Sequence, residues 1–264
     1  MYSPSKLIYK YLQYWRKASN GKGHGIHSPF VFEFVTKVLN SNIYYKVYDE
    51  VEAVRKRLLK DNSIITIEDF GAGSRVNPTN QRSIQQIAKS SLKPKKYSQL
   101  LYRMARYYRP STILELGTSL GITTSYLAKG NPGAKIITME GAKQIASTAT
   151  RNFQSLGINN IQLIEGNFDE TLPSTLKNIK VDLAYLDGNH RYLPTVEYFH
   201  QILQHSHNST IIILDDIHWS QEMEQAWDWV KAHQQVTLTI DLFAIGIAVL
   251  RKEILHKQHF SIRY

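Results

Sequence analysis

From residue 111 onward the sequence alternates between short, nearly unbroken apolar runs and longer stretches in which apolar residues recur every three or four positions. The runs are 112–116 (TILEL), 135–140 (KIITME), 161–165 (IQLIE), 181–187 (VDLAYLD), 210–215 (TIIILD), 236–241 (VTLTID) and 244–250 (AIGIAVL). Runs rich in Ile, Val and Leu without strict alternation suit strands covered on both faces, as in a mostly parallel sheet. Helical stretches fall between them at 119–129, 142–156, 193–205 and 220–233. In the second, Ile145, Thr148, Ala149, Asn152, Phe153 and Leu156 follow the spacing of a buried stripe. The alternation predicts an α/β fold with a doubly wound, seven-stranded, mostly parallel sheet. Only Leu242 and Phe243 separate the last two runs, too little for a crossover helix, so these are expected to form a C-terminal antiparallel hairpin.

Residues 1–110 lack this rhythm. Segments 5–15, 29–39, 49–59 and 97–108 have helical periodicity, and 20–28 (NGKGHGIHS) reads as a Gly-rich loop. The pattern predicts a mainly helical N-terminal region over 1–110, suited to a lid or substrate pocket, and an α/β domain over 111–264. Charge sharpens the division: 20 Lys/Arg against 7 Asp/Glu give the first region +13, while 12 against 15 give the second −3, within a total of +10. A basic region suits an acidic partner such as a phosphorylated small molecule, nucleic acid or an anionic lipid surface, unless it is simply a solvated face. The 264 residues include no Cys, which excludes disulfide scaffolds, thiolate metal sites and Cys nucleophiles. No apolar run reaches the roughly 20 residues of a membrane span, and the first residues lack a signal-peptide apolar core, so a soluble cytoplasmic protein is expected.

Two glycine loops could open a nucleotide site, 68–74 (EDFGAGS) and 115–121 (ELGTSLG). Such a site needs a strand, a tight Gly turn and a helix, then a second strand about 20 to 25 residues on whose acidic end accepts both ribose hydroxyls. Downstream of Asp69 the chain reads KSSLKPKK, with neither strand nor carboxylate, whereas Glu140 ends a strand 25 residues after Glu115. The spacing selects 115–121. The first loop is expected at the surface, with Arg75 and Arg82 as its binding groups if it meets substrate.

Because Ser119 stands where a dinucleotide motif has its middle glycine, the turn suits a ligand without pyrophosphate. An acidic residue, Gly117 and Gly121 after the first strand, an acidic end to the second and a terminal antiparallel hairpin together resemble the class I S-adenosylmethionine-dependent methyltransferases, over about residues 97–250. The resemblance implies that Glu115, Gly117, Thr118, Ser119 and Gly121 surround the methionine and ribose parts of S-adenosylmethionine. It implies that Glu140 holds the ribose hydroxyls and that Asn167 and Phe168 line the adenine.

The fourth and fifth strands also end in acids, Asp187 in LDGNH and Asp215-Asp216 in LDDIH. Open α/β sheets bind ligands beyond the carboxyl ends of their strands, so these three carboxylates are expected to converge. Converging acids repel unless a cation or donor joins them, and a hard divalent ion such as Mg²⁺ fits an all-oxygen set. The alternative is that Asp187 orders the cofactor amine and Asp215-Asp216 caps the next helix. The pattern is similar to the catechol and caffeoyl-CoA O-methyltransferases and metal-dependent sugar O-methyltransferases, with Asp216 where the catechol type has Asn. That resemblance implies Asp187, Asp215 and Asp216 as metal ligands, with Asp187 also at the catalytic centre. It implies His190, near the position of their catalytic Lys, as general base, and His218 stands second; each could equally be a structural imidazole.

The expected activity is O-methylation of a small hydroxylated, acidic acceptor with divalent-metal assistance. A nucleic-acid methyltransferase using the basic region is the less favoured alternative, since no N-P-P-[YF] motif or RNA-binding module is present. A third reading is a peripheral membrane module, for which residues 2–17 supply apolar Tyr2, Leu7, Ile8, Tyr11, Leu12 and Trp15 beside Lys6, Lys10, Arg16 and Lys17; a core-packed helix is the plainer account of the same stripe.

Overall fold

A computed structural model of the chain describes residues 1–22, 27–67 and 81–264. The segment 68–74 and Arg75, and most of the inner part of the 20–28 loop, lie outside the described residues. The elements begin with α1 (Pro4–Lys17) and α2 (Pro29–Glu33), which runs into a π-helical turn at Phe34–Leu39. Then come α3 (Val47–Leu58), β1 (Ile64–Thr66), β2 (Gln81–Ser83), α4 (Ile84–Ser91) and α5 (Lys95–Tyr108). The alternating part comprises β3 (Thr112–Leu116), α6 (Ile122–Gly130), β4 (Lys135–Glu140), α7 (Lys143–Ser155), β5 (Ile161–Glu165), α8 (Phe168–Leu176), β6 (Val181–Leu186) and α9 (Tyr192–Gln204). It closes with β7 (Ser206–Asp215), α10 (Gln221–Ala232), β8 (Leu238–Asp241), β9 (Ile245–Val249) and β10 (Gln258–Ser261).

Two compact units result, one of Met1–Ser41 with Leu176–Tyr264, the other of Asn42–Thr175. The helical region expected over 1–110 is thus divided between them at residue 41.

In the Asn42–Thr175 unit, β3 pairs parallel with β4 and β4 with β5. The apolar positions of β3 and β4 are fully buried, as their unbroken hydrophobic runs require. A cluster built from Tyr48, Val51 and Leu58 of α3, Ile84 and Ile87 of α4, Tyr102 of α5 and Tyr126 of α6 covers one side. Ser83 starts α4 with a capping box, its hydroxyl accepting from the Gln86 N–H while the Gln86 side chain accepts from the Ser83 N–H. Arg82 lies in β2, opposite Ile65 of β1.

The other unit holds β6 parallel to β7, β7 antiparallel to β9, β9 antiparallel to β8 and β10 parallel to β8. The hairpin expected from the two-residue gap is present, with Phe243 in the left-handed region at φ 67°. All seven expected strands form. The structure adds β10 and a separate antiparallel pair, β1 with β2, that hydrophobic runs do not reveal. The reason is physical: QHFS and QRS are short, polar and half exposed, and hold their places through backbone pairing. Among the described residues no helix is long and apolar enough to cross a membrane.

The N-terminal helix α1 packs within this unit through one side. Tyr14 is buried, its ring 5.3 Å from that of Phe243, and its hydroxyl donates to the Ile262 carbonyl. Tyr11 meets Phe243 edge-on at 5.0 Å.

Candidate active site

The glycine loop leaves β3 at Gly117, whose φ is 100°, passes Ser119 at φ 47° and enters α6 at Gly121 with φ 78°. Three left-handed residues in five turn the chain sharply, a conformation that costs an ordinary side chain free energy. Gly121 has a second reason to lack a side chain, because a Cβ there would stand 2.5 Å from Cε1 of Phe153 on α7. The loop is fastened to β4 by the N–H groups of Gly117 and Thr118, both donating to the Met139 carbonyl at 3.0 Å. Asn152 holds it from behind, donating to the Leu120 carbonyl at 2.9 Å.

Beneath the loop lies a hydroxyl network that the sequence did not announce. Register places Thr138 opposite Glu115. Thr138 donates to Glu115 Oε2 at 2.6 Å, Thr124 donates to the same oxygen at 2.5 Å, and the Thr118 and Thr138 hydroxyls are 2.6 Å apart. Glu115 has no solvent exposure, and its other oxygen, Oε1, has no hydrogen-bond partner among the described residues. Burial pushes its carboxyl up to about 7, against the opposing effect of the two threonine hydrogen bonds, and the charge of Glu140 adds to the rise. Glu115 and Thr118 therefore brace the loop from below, and a ligand resting on the loop meets its backbone.

Glu140, at the end of β4, accepts from the Ser119 N–H at 2.9 Å through Oε2 and from the Ala142 N–H at 3.0 Å through Oε1. The acidic strand end and the glycine loop thus meet, as their spacing in the sequence predicts. The third strand end joins them, since the Gly166 N–H donates to the Glu140 carbonyl at 3.0 Å. Asn167 then opens α8, its Oδ1 accepting from the Asp169 N–H at 3.1 Å, and Phe168 follows. Gly117, Ser119, Glu140, Asn167 and Phe168 are all half-buried, whereas Leu116, Thr118, Leu120 and Gly121 are buried. The exposed edge of this frame is the ridge on which the resemblance places S-adenosylmethionine.

The acids of the other unit do not assemble as expected. Among the described residues no group of three or more His, Cys, Asp or Glu side chains is placed to hold a metal ion, so Asp187, Asp215 and Asp216 form no such set. Asp215 is buried, and Asp216 turns into a left-handed backbone at φ 53° with its N–H donating to the Ala244 carbonyl at 2.7 Å. Asp187 accepts from the Tyr185 hydroxyl at 3.1 Å, and its Oδ1 lies 3.6 Å from His190 Nε2.

His218 is likewise placed otherwise than as a base. Its Nδ1 is 3.0 Å from Glu224 and its Nε2 2.9 Å from Asp241, while its ring stacks on Phe243 at 5.2 Å. Burial alone would lower its pKa, but hydrogen bonds and charge from Asp241 and Glu224 outweigh this and raise it above the ordinary imidazole value. With both nitrogens turned to carboxylates, the ring has no lone pair left for an acceptor proton. Glu224 also accepts from the Tyr2 hydroxyl at 2.7 Å and from Lys10 at 2.8 Å, so the cluster ties α1 to α10 and β8. A raised folded-state pKa stabilises the fold fully below the unfolded value of about 6.5, and that stability is lost as pH rises through the folded value. The native chain is expected to gain about 2–4 °C in Tm over His218→Gln at pH 6, a margin that shrinks by pH 9; thermal melts of both proteins across that range measure it. A constant margin would remove the charge from the account.

Comparison with known proteins agrees with this geometry. A family model described as a methyltransferase domain matches residues 114–217. A catechol O-methyltransferase from Niastella koreensis is 29% identical over 126 residues, covering 46% of this chain; the chain spans only about half, 55%, of that relative. Among solved structures, an O-methyltransferase from Bacillus cereus in complex with SAH aligns with TM-score 0.57 and 18% identity over 83% of this chain and 96% of that one. An SAH-bound methyltransferase from Podospora anserina aligns with TM-score 0.59 and 14% identity over 95% of this chain and 97% of that one. At these identities the structures show a shared fold. Residues 114–217, which include the acid-anchored glycine loop, match a methyltransferase domain, and the chain shares the fold of the SAH-bound methyltransferases.

Proposed function

We propose that the chain is an S-adenosylmethionine-dependent methyltransferase that transfers the methyl group to a hydroxyl oxygen of a small acceptor. The observation that carries this reading is Glu140: a half-buried carboxylate at the end of β4, held beside the glycine loop by the Ser119 and Ala142 N–H groups, where it can accept from both ribose hydroxyls. The methyl group leaves an activated sulfonium, so the protein's task is alignment and removal of the acceptor proton. An acceptor oxygen bonds to the methyl carbon as the carbon–sulfur bond breaks and its electron pair returns to sulfur. The proton goes to His190. Its Nε2 faces Asp187 at 3.6 Å, which leaves Nδ1 to take the proton and sets a carboxylate beside the resulting imidazolium.

The choice of oxygen rests on the catechol O-methyltransferase relative and on the imidazole–carboxylate pair. Isothermal calorimetry with S-adenosylmethionine is expected to show one site per chain, and label from methyl-labelled cofactor is expected in the O-methyl ether of a catechol. Absence of cofactor binding would sink the enzymatic reading altogether. Binding followed by label on nitrogen or on RNA instead would reject the oxygen acceptor.

A further inference from the structure

Tyr185 lies near the end of β6 and has no solvent exposure. Its surroundings in the sheet are apolar: Ala184 and Leu186 flank it in the chain, and Ile213 holds the paired position of β7. A phenylalanine would fill the same space. The tyrosine adds one group, a hydroxyl whose burial costs free energy unless it meets a partner. It meets one two residues on, donating to Asp187 Oδ2 at 3.1 Å.

Asp187 therefore has a hydroxyl on one oxygen and an imidazole beside the other, since Oδ1 lies 3.6 Å from His190 Nε2. A carboxylate turns about its last bond with only a broad preference, so a donor fixed in the core decides which oxygen meets the ring. The turn that carries His190 is held by other contacts. Asn189 is left-handed at φ 51°, and its amide donates to the Tyr198 hydroxyl at 3.4 Å. Beyond His190, the Tyr192 N–H donates to Glu222 Oε2 at 3.0 Å. With the turn pinned on both sides of the imidazole, the Asp187 carboxylate is the part that Tyr185 sets.

We infer that Tyr185 is a positioning residue: its hydroxyl orients the Asp187 carboxylate so that Oδ1 faces His190 Nε2, which keeps the ring proton on Nε2 and leaves Nδ1 open to the acceptor proton. The tautomer of an imidazole follows the partner that its nitrogens meet. This inference deepens the proposed function and rests on it for the role of His190. Tyr185 acts through Asp187 and touches no reacting atom.

The test compares the full native chain with Tyr185→Phe, which keeps the ring in the core and removes only the hydroxyl. Its first readout needs no turnover. In histidine nitrogen NMR spectra at alkaline pH, the His190 ring is assigned by the signal lost in His190→Gln. It is expected to hold the Nε2–H tautomer in the native chain and to shift toward the mixed tautomers of free imidazole in Tyr185→Phe. The second readout is kcat with catechol and S-adenosylmethionine. Tyr185→Phe is expected to lower it about three- to tenfold, with cofactor affinity within about twofold, and to add no further loss to Asp187→Ala. An unchanged His190 spectrum overturns the inference, as does a native kcat. An equal further loss on top of Asp187→Ala overturns it too, because the hydroxyl would then act apart from the carboxylate. These three results leave the proposed function standing; a native kcat in His190→Ala removes the base itself, and the inference falls with it.

Discussion

Replacing His190 with alanine is expected to lower kcat for methyl transfer by about 10²- to 10⁴-fold, the usual contribution of a positioned general base, while the affinity for S-adenosylmethionine stays within about twofold. Of the two histidines near acidic strand ends, His190 alone has an unengaged nitrogen in a half-buried setting: Nε2 faces Asp187 at 3.6 Å, whereas His218 turns both nitrogens to Glu224 and Asp241. The pairing adds a second arm. Asp187→Asn keeps the shape but removes the charge beside the imidazolium, and a smaller loss, about tenfold, is expected from single-turnover rates. A His190→Ala enzyme with native kcat would place the proton acceptor elsewhere and free the Asp187–His190 pair for a structural role.

Glu140→Ala is expected to weaken S-adenosylmethionine binding about 100-fold or more by calorimetry. The carboxylate fixes the loop by accepting from Ser119 and Ala142, and in the proposed function it also accepts from the ribose hydroxyls. A hydrogen bond to a charged group contributes about 1.5–3 kcal/mol, so removing the acceptor for both ribose hydroxyls makes about 100-fold a modest expectation. Glu140→Gln should fall between, because an amide keeps one acceptor oxygen and replaces the other by a donor that opposes the backbone N–H. If Glu140→Ala binds the cofactor normally, the ridge of Gly117, Ser119, Asn167 and Phe168 is not where it sits.

Much of the glycine-loop frame was legible because its cues are local or have a fixed span. Glu115 and Glu140 stand one strand–helix–strand unit apart, and the Gly117 and Gly121 positions follow from the turn between strand and helix. What escaped depends on register and return of the chain. Thr138 resembles any β-branched residue in an apolar strand until β3 sets Glu115 against it. His218 follows an acidic strand end and so resembles a base; its partner Asp241 arrives only when β8 lies nearby, 23 residues later. Asp187, Asp215 and Asp216 all stand at strand ends, yet among the described residues no group of three such side chains is placed to hold a metal ion. Strands β1, β2 and β10 escaped because polar edge strands carry no hydrophobic signal.

The make-up of the two units bears on how the chain comes together during synthesis. Asn42–Thr175 is continuous and can acquire its core as soon as it has been made. The first helix belongs to the unit completed last: Tyr14 must wait for the Ile262 carbonyl, 248 positions away, and Tyr11 for Phe243. Through most of translation α1 therefore exposes the apolar side that carries Tyr11 and Tyr14, and contacts of such long span close slowly. Shortening the chain from its far end would leave the cofactor frame foldable but strand this helix, so soluble expression of C-terminally truncated forms should fail through α1 before it fails through the glycine loop.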